Sequence, residues 1–319
     1  MTLNSVNGLT TGLECSCQYD KNFDLFGTIT AIDTENNIVT FSVLPSDVFT
    51  EGQKNVLWVP SNPELGDGNT FIGDEAFATG YNNKSSQVGS FAAGGNNNAA
   101  GKYSAVFGEN NKVGYCSVAF GQNNKGHQWS LVGGYQNTVT APFTFAAGNN
   151  NTVSKQYGNA LGNGNTVDGE ASFITGQSST INSKNSLSSG VNNLIDINAK
   201  ESIAAGSGNK IYAPHSVALG FKNIINASSN GRSTALGSEN IIGHNYCATF
   251  GKELQTGTEN QIIVGRQNVV DENAVFIVAN GTANTGTSNA FTVKKDGSAE
   301  VKTMGNTDNS VATKGYVDN

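Results

Sequence analysis

Glu239 and Glu253 are the two side chains whose type and spacing come closest to an active site, because they occupy the same position in neighbouring repeats of the sequence. Strands of a sheet lie about 4.8 Å apart, so stacked repeats would bring the two carboxylates near the ~5 Å separation of a retaining glycoside hydrolase. Nothing else in the sequence converges on the pair. We interpret both as solvated turn residues, and we predict no catalytic residue and no enzyme activity.

A second group of side chains suits recognition of a ligand. Aromatic and histidine residues stand in the variable segments between repeats, and a flat apolar ring with a polar edge suits glycans and protein surfaces alike. The alternative interpretation is that each ring covers only its own repeat. The candidate ligand-binding residues are Tyr103, Tyr115, His127, Trp129, Tyr157, His244 and Tyr246.

Cofactor and metal chemistry find little support in the sequence. Glycine pairs such as Gly94-Gly95 belong to the repeat and do not form phosphate-binding loops. A calcium-binding β-roll is disfavoured because no Gly-Gly-x-Gly-x-Asp series is present. The four cysteines match no zinc spacing and are interpreted as free thiols. We predict no cofactor and no metal site within one chain, while an ion held on an axis by three chains stays open.

The charge and hydropathy of the chain exclude two further classes of partner. The formal net charge is -7, and the 18 lysines and arginines are spread along the chain. No basic stripe is available to neutralise phosphates, so we predict no nucleic-acid partner. No apolar run approaches the ~20 residues that span a bilayer, and residues 1–12 lack the basic and apolar regions of a signal peptide. We therefore expect a soluble chain without membrane insertion.

One glycine recurs after a short apolar run and defines the elements that must position these residues. Nine of the thirteen intervals between successive repeat glycines are 14 residues long, as from Gly80 to Gly94. Two of the others are shorter by one position, and the remaining two are longer by two and by three positions. Loops tolerate such small changes while the strands beneath them keep register. The repeat glycines are Gly80, Gly94, Gly108, Gly121, Gly134, Gly148, Gly162, Gly176, Gly190, Gly206, Gly220, Gly237, Gly251 and Gly265.

Each position counted from the repeat glycine has its own residue type, as in Ser216-Val217-Ala218-Leu219-Gly220. Serine stands four residues before the glycine in nine of the fourteen repeats, and a large apolar residue stands three before it in ten. Alanine stands two before it in eight. Asparagine stands three after it in twelve, and valine or isoleucine stands five after it in ten.

This alternation has a period of two, so it predicts a β-strand with one large-residue face and one small-residue face. Asparagine three after the glycine predicts a tight turn, because asparagine tolerates left-handed backbone angles. The valine or isoleucine two residues later predicts a second, short strand. Successive units then stack as a solenoid with a thin core. We expect the small-residue face to be covered by partner chains; a solvent-facing serine ladder on a monomer is the alternative.

The units, of the form Ser-Val-Ala-Leu-Gly-x-x-Asn, resemble the head repeats of trimeric autotransporter adhesins of the YadA-like kind. Related repeats occur in phage tail fibres and receptor-binding proteins. The resemblance covers about 190 of the 319 residues. It implies an all-β fold, namely a left-handed parallel β-roll solenoid of about fourteen 14-residue units in a homotrimer, with a small N-terminal β module and a C-terminal hairpin and neck.

The predicted boundaries are 1–65 for an N-terminal β cap or attachment module, 66–273 for the β-roll, 274–304 for a β-hairpin and 305–319 for a neck or junction. Alternating apolar residues predict an N-terminal hairpin over residues 26–43, and Asp296-Gly297 marks the turn of the C-terminal hairpin. The segment from Ala312 to Asp318 is similar to a junction that precedes coiled coils or further modules in phage tail fibres.

These features predict a structural and adhesive fibre protein without cofactors. The resemblance implies a phage tail-fibre or receptor-binding component in the virion, whose partners are two further copies, other tail or fibre proteins, and a host surface glycan or protein. The lack of an export signal and of a membrane anchor, together with the C-terminal junction, favours a phage. The head fragment of a bacterial trimeric adhesin at the cell surface is the alternative. A tailspike-type enzyme that degrades glycans with Glu239 and Glu253 is the third.

Overall fold

The computed structural model describes residues 14–19, 22–33, 38–41, 57–58, 61–62, 66–227 and 230–302, and its side chains are described from residue 68 onward except at residue 71. The chain divides into two compact units, Met1–Gly148 and Asn149–Asn319. The neck predicted at residues 305–319 lies outside the described residues. Regular structure in the described part is entirely β, with no helix there that could span a membrane.

The first described strands of unit 1 pair antiparallel. They are β1 (Glu14–Tyr19), β2 (Asn22–Asp33), β3 (Ile38–Phe41), β4 (Leu57–Trp58), β5 (Ser61–Asn62) and β6 (Gly66–Asp67). β1 pairs with β2 and β4, β2 pairs with β3, and β5 pairs with β6. The hairpin predicted over residues 26–43 falls on β2 and β3, and residues 34–37 of its predicted turn lie outside the described residues.

The repeats of unit 1 form alternating short strands of two residues and long strands of five or six. In chain order these are β7 (Thr70–Phe71), β8 (Phe77–Tyr81), β9 (Lys84–Ser85), β10 (Phe91–Gly95), β11 (Asn98–Ala99), β12 (Ala105–Glu109), β13 (Lys112–Val113), β14 (Val118–Gln122), β15 (Ser130–Tyr135), β16 (Thr138–Val139) and β17 (Thr144–Asn149). Long strands pair in parallel with repeat glycine opposite repeat glycine, as at Gly94 and Gly108. The two shortest intervals keep this register, with Gly121 opposite both Gly108 and Gly134.

Unit 2 repeats this arrangement. In chain order its strands are β18 (Thr152–Val153), β19 (Asn159–Asn163), β20 (Thr166–Val167), β21 (Phe173–Gln177), β22 (Thr180–Ile181), β23 (Leu187–Val191), β24 (Leu194–Ile195), β25 (Ile203–Ser207), β26 (Lys210–Ile211), β27 (Val217–Phe221), β28 (Ile224–Ile225), β29 (Thr234–Ser238), β30 (Ile241–Ile242), β31 (Ala248–Lys252), β32 (Ile262–Arg266), β33 (Ala274–Asn280), β34 (Asn289–Lys294) and β35 (Ala299–Val301). The longer intervals also keep register, with Gly190 opposite Gly206 and Gly220 opposite Gly237.

The last strands of unit 2 end the parallel series. β33 pairs in parallel with β32, and Ala279 stands opposite Gly265. β34 then pairs antiparallel with β33, and β35 pairs antiparallel with β34 across the turn that holds Asp296 and Gly297. Each unit is thus a parallel β-solenoid, as the glycine spacing predicts, and the two units hold about fourteen turns between them.

The core is thin, and its short-strand column is buried as expected, but on the long strands the inner and outer columns are the reverse of those expected. The alanine two before the repeat glycine is fully buried, as at Ala92 and Ala119, and so is the short-strand residue at Val153. The large residues three or one before the glycine point outward: Phe77 is 41% exposed and Phe120 is 46% exposed. The two sheets of one coil leave room between them for side chains up to isoleucine, as at Ile174 and Ile263, and the phenylalanine rings of the long strands lie outside. The prediction that the small-residue face lies outside is wrong.

The serine column is also internal. In unit 2 the backbone N–H of Ser216 donates to Ser202 Oγ at 3.0 Å, and the N–H of Ser202 donates to Ser186 Oγ at 3.3 Å. All three serines are buried. The hydroxyl groups therefore satisfy backbone donors of the next turn, and the alternative of a solvent-facing serine ladder is wrong as well.

The asparagine three after the repeat glycine does not make the turn. The residue with left-handed backbone angles is its predecessor, for example Asn110 with φ 55°. Asn111 itself is 1% exposed, and its Nδ2 donates to Asn97 Oδ1 at 3.1 Å, to the Phe107 carbonyl at 2.9 Å and to the Gly121 carbonyl at 2.7 Å. The asparagine column is a buried ladder that closes each turn and joins it to its neighbours.

Candidate functional site

A second left-handed position in each turn lies five residues before the repeat glycine, at the corner where the loop enters the long strand. We call it the corner position. In unit 1 it is occupied by Tyr103 (φ 54°), Cys116 (φ 48°), Trp129 (φ 47°) and Phe143 (φ 57°). A left-handed conformation costs a residue with a Cβ about 1–2 kcal/mol, which glycine avoids. The side chain at this position projects from the coil, so the corner can carry large rings outside the core.

Four rings contact one another in series along unit 1 and form what we call the aromatic column: Tyr103, Trp129 and Phe143 at corner positions, and Tyr115 one residue before the corner residue Cys116. The ring centroids are 6.5 Å apart for Tyr103 and Tyr115, and 5.3 Å apart for Tyr115 and Trp129. Trp129 and Phe143 lie parallel within 2° at 4.9 Å. The structure thus brings together three predicted ligand-binding residues and adds Phe143, which sequence reasoning missed although it shares the corner position with Trp129.

Tyr115 makes edge-to-face contacts with both of its neighbours in the column. Its ring plane lies at 71° to that of Tyr103 and at 84° to that of Trp129. A hydrogen bond with the Cys116 side chain raises the pKa of the Tyr115 phenol. The phenol therefore keeps its proton at physiological pH, and the residue is half-buried.

The Tyr115 face borders a groove on the short-strand side of unit 1, which we call the lysine groove. The groove has a volume of about 760 Å³, and its polar lining includes Lys102, Lys112, Lys125 and His127. Neither aspartate nor glutamate is among the described residues that line it. Lys112 and Lys125 are register partners on adjacent turns. His127, predicted from sequence, thus joins Tyr115 in one cationic groove.

The predicted residues of unit 2 have other surroundings. Tyr157 occupies a corner position with φ 59° and is 50% exposed. His244 Nδ1 lies 3.2 Å from Thr256 Oγ1. Tyr246 accepts a hydrogen bond of 3.4 Å from Arg232, whose guanidinium lies 5.9 Å from the ring centroid. His244 thus contacts the next turn, and Tyr246 contacts the preceding one.

Glu239 and Glu253 lie on either side of one lysine. Lys252 Nζ is 2.9 Å from Glu253 Oε1 and 4.0 Å from Glu239 Oε2. Hydrogen bonds from Lys252 and then Gln267 hold the pKa of Glu253 below its ordinary value. A glycosidase general acid needs a raised pKa. These contacts fit paired turn carboxylates and give no support to a catalytic pair.

Metal ligands do not gather in the side chains that the structure describes. No group of three histidine, cysteine, aspartate or glutamate side chains among them could hold a metal ion. Cys247 is buried, and Cys116 is partly exposed beside Tyr115.

The long strands of each unit carry an outer apolar face, which we define as the exposed large side chains three or one before, or one after, the repeat glycine. Phe77 and Phe91 stack at 5.4 Å, and Phe91 and Phe107 are 5.2 Å apart. Isolated exposed apolar residues are normal, whereas a contiguous series marks an interaction surface. In unit 1 the exposed members are Phe77, Tyr81, Phe107, Phe120, Leu131 and Tyr135. In unit 2 they are Leu187, Val191, Ile203, Leu219, Phe221, Phe250 and Ile262.

The assignment of a function rests on the geometry of the structure. No protein-family model matches the sequence, and no curated protein matches it.

Proposed function

We propose that the chain is a structural and adhesive fibre segment that assembles as a homotrimer through its outer apolar faces. The observation that carries the proposal is the outward projection of large apolar side chains on successive long strands. The number of copies follows from the resemblance of the repeat to trimeric adhesin heads. Closed rotational symmetry would bury these faces together without leaving an open-ended surface.

The energetics support such assembly. Burying one fully exposed phenylalanine stabilises a complex by about 1.5–3 kcal/mol, so each half-exposed ring contributes on the order of 1 kcal/mol. The entropy lost on association costs about 4–15 kcal/mol. A series such as Phe77, Phe107 and Phe120 in unit 1, continued in kind in unit 2, is large enough to offset that cost.

The short strands of unit 1 favour solvent on the other side of their coils. In unit 1 their outward positions hold Lys84, Asn98, Lys112, Lys125 and Thr138, which we call the polar wall. Polar side chains of this kind suit water or a hydrated ligand. Assembly through the long strands leaves the polar wall and the corners accessible to a surface.

The biological setting that we propose is a phage virion, in which the chain is a tail-fibre or receptor-binding component that contacts a host surface glycan or protein. The similarity of residues 312–318 to tail-fibre junctions supports this setting. Other tail or fibre proteins are the further partners. The head of a bacterial trimeric adhesin is the second setting, supported by the form of the repeat.

The mass of the chain in solution tests the assembly. We expect light scattering on a sizing column to give three times the chain mass of 33.2 kDa. In the variant Phe107→Glu/Phe120→Lys the new charges pair across adjacent strands, which preserves the fold, but they cannot be buried in an interface. We expect this variant to be monomeric and the control Thr152→Glu, on an exposed short-strand position of unit 2, to be trimeric. A monomeric native chain contradicts the proposal.

A further inference from the structure

We propose that the lysine groove of unit 1, with the face of Tyr115 at its edge, binds an anionic polysaccharide. The ligand class is a chain of sugar rings that carry carboxylate or sulfate groups. This inference rests on the proposed adhesive function, and it names the chemistry of the surface that would be contacted.

The charge of the groove is the first argument. Lys112 and Lys125 stand side by side on adjacent turns, where the backbones lie about 4.8 Å apart. Like charges at neighbouring positions of a sheet are destabilising. Lys102 adds a third positive charge to the lining. None of the three forms an ion pair with a carboxylate that the structure describes. An anionic ligand supplies the missing counter-charge.

The charge of the groove also runs against that of the whole chain. The net charge is -7, so the acid-free lining is a local exception. Nucleic acids bind through many phosphate contacts and are repelled by a net negative protein. Three lysines on an acidic chain suit a ligand with widely spaced charges, which favours an acidic polysaccharide over a nucleic acid.

The Tyr115 ring is the second argument. Apolar faces of sugars pack on aromatic faces, and a phenol adds a hydrogen-bonding edge. Tyr115 lines the groove and makes edge-to-face contacts with Tyr103 and Trp129. The parallel pair of Trp129 and Phe143 supports the column from the next turns and holds the platform in place.

The groove and the outer apolar face do not compete. The groove is built on the polar wall of unit 1, whereas the apolar face lies on the long strands at the opposite side of the coil. A trimer packed through the long strands therefore keeps the groove open. Each copy would present its own groove, so a long polymer can be bound at several points at once.

The test measures binding of the full chain to four polymers: polygalacturonate for carboxylate, dextran sulfate for sulfate, neutral dextran, and single-stranded DNA. We expect binding to one or both anionic polysaccharides, weakening as salt is added, and none to dextran. Lys112→Gln/Lys125→Gln should weaken binding at least about tenfold, because two charge-assisted contacts are lost. The control Lys210→Gln/Lys222→Gln removes the same charge from exposed sites of unit 2 and should leave binding unchanged.

A second pair of variants separates the groove from general attraction of charge. Tyr115→Ala should weaken binding of the anionic polysaccharide, whereas Tyr212→Ala, at a half-buried loop position of unit 2 outside the lysine groove and the outer apolar face, should not. Equal loss in the two lysine variants, stronger binding of DNA, or no binding of either polysaccharide overturns the proposal. The solution mass of each variant keeps the two proposals apart. A trimer that binds neither polysaccharide contradicts only the binding proposal. A monomeric native chain contradicts the assembly proposal, whatever it binds.

Discussion

Gly265 and Ala279 are register partners on adjacent parallel strands, yet only the second has a side chain. A Cβ on Gly265 would stand 2.1 Å from the carbonyl oxygen of Ala279. The strand that follows β33 runs antiparallel, so Ala279 has no further turn stacked on it in this way. Glycine is therefore required by the carbonyl of the next turn, and the requirement ends where the parallel stacking ends.

Substitution of a repeat glycine should unfold or strongly destabilise its unit. A Cβ on Gly94, where φ is 114°, would lie 2.0 Å from the carbonyl oxygen of Gly108. We expect Gly94→Ala to lower the free energy of unfolding by about 3 kcal/mol or more, from backbone strain and overpacking together. The neighbouring Gly95→Ala is the control, since its nearest contact would be Glu109 Cγ at 3.7 Å. Thermal unfolding followed by circular dichroism checks both, and equal midpoints would contradict the steric argument.

Loss of one ladder asparagine should cost more than an ordinary buried hydrogen bond. Asn111→Ala removes the donor to the Phe107 and Gly121 carbonyls and the acceptor of the Asn124 N–H at 2.9 Å. Each buried group left without a partner costs about 1–3 kcal/mol. We expect a loss of about 3 kcal/mol or more, measured by urea unfolding.

The ladder itself supplies the matched variants. Ser179 stands in the asparagine column, accepts the Asn193 N–H at 3.2 Å and reaches the Gly190 carbonyl at only 3.5 Å. Asn111→Ser should therefore cost less than Asn111→Ala, and Ser179→Asn should stabilise unit 2 by about 1 kcal/mol. If Ser179→Asn destabilises the chain, the column does not require asparagine for its hydrogen bonds.

The two cysteines that the structure describes with side chains should differ in reactivity. Burial raises the pKa of the Cys247 thiol, and the side chain is 1% exposed. We expect iodoacetamide at mildly alkaline pH to label Cys116 in the native chain and to reach Cys247 only on unfolding, as mapped by peptide mass spectrometry. The thiolate is the nucleophile, so a raised pKa and burial act in the same direction.

The raised pKa of the Cys247 thiol makes the stability of the fold depend on pH. Below the ordinary pKa of a thiol the folded and unfolded chains are both protonated at Cys247, and its contribution is fully present. Between the ordinary and the raised pKa only the unfolded chain loses the proton, so stability falls as pH rises. Cys247→Ser should reduce this dependence. An unchanged slope would show that the thiol does not titrate on unfolding.

The paired carboxylates should prove dispensable for any reaction. We expect no release of reducing ends from capsular polysaccharide by the native chain, because the pKa of Glu253 is lowered rather than raised. Glu239→Gln and Glu253→Gln should leave binding of that polysaccharide unchanged. Cleavage by the native chain that either variant abolishes would establish the glycan-degrading alternative.

The strands and their register were predictable because they follow from local rules. A period of two marks a strand, and a glycine that recurs at near-constant spacing marks the stacked position. The face that turns inward was not predictable in the same way. Ala119 and Phe120 alternate on one strand, and the choice between them depends on the distance between two sheets, which is set by the whole turn.

The asparagine column shows a signal that was open to a different interpretation. The true turn position accepts Asn110, Gly164, Lys222 and Glu239 with similar backbone angles. A turn tolerates such variety, whereas a ladder needs one side chain with a donor and an acceptor at the same end. The near-constant asparagine is therefore the residue that the ladder requires, and the variable residue before it makes the turn. Phe143 stands at the same offset from its repeat glycine as Trp129. It was missed because a phenylalanine ring has no polar edge.

The register of the long strands survives changes in the length of the repeat, as between Gly108 and Gly121, the shortest interval, or Gly220 and Gly237, the longest. Each turn bonds to the turns before and after it, so a gene for such a chain can gain or lose whole repeats by unequal recombination and still encode a folded product. Solenoid length and corner chemistry can then be inherited separately. If the lysine groove binds as proposed, a lineage could exchange the turns that hold the lysines and keep its scaffold.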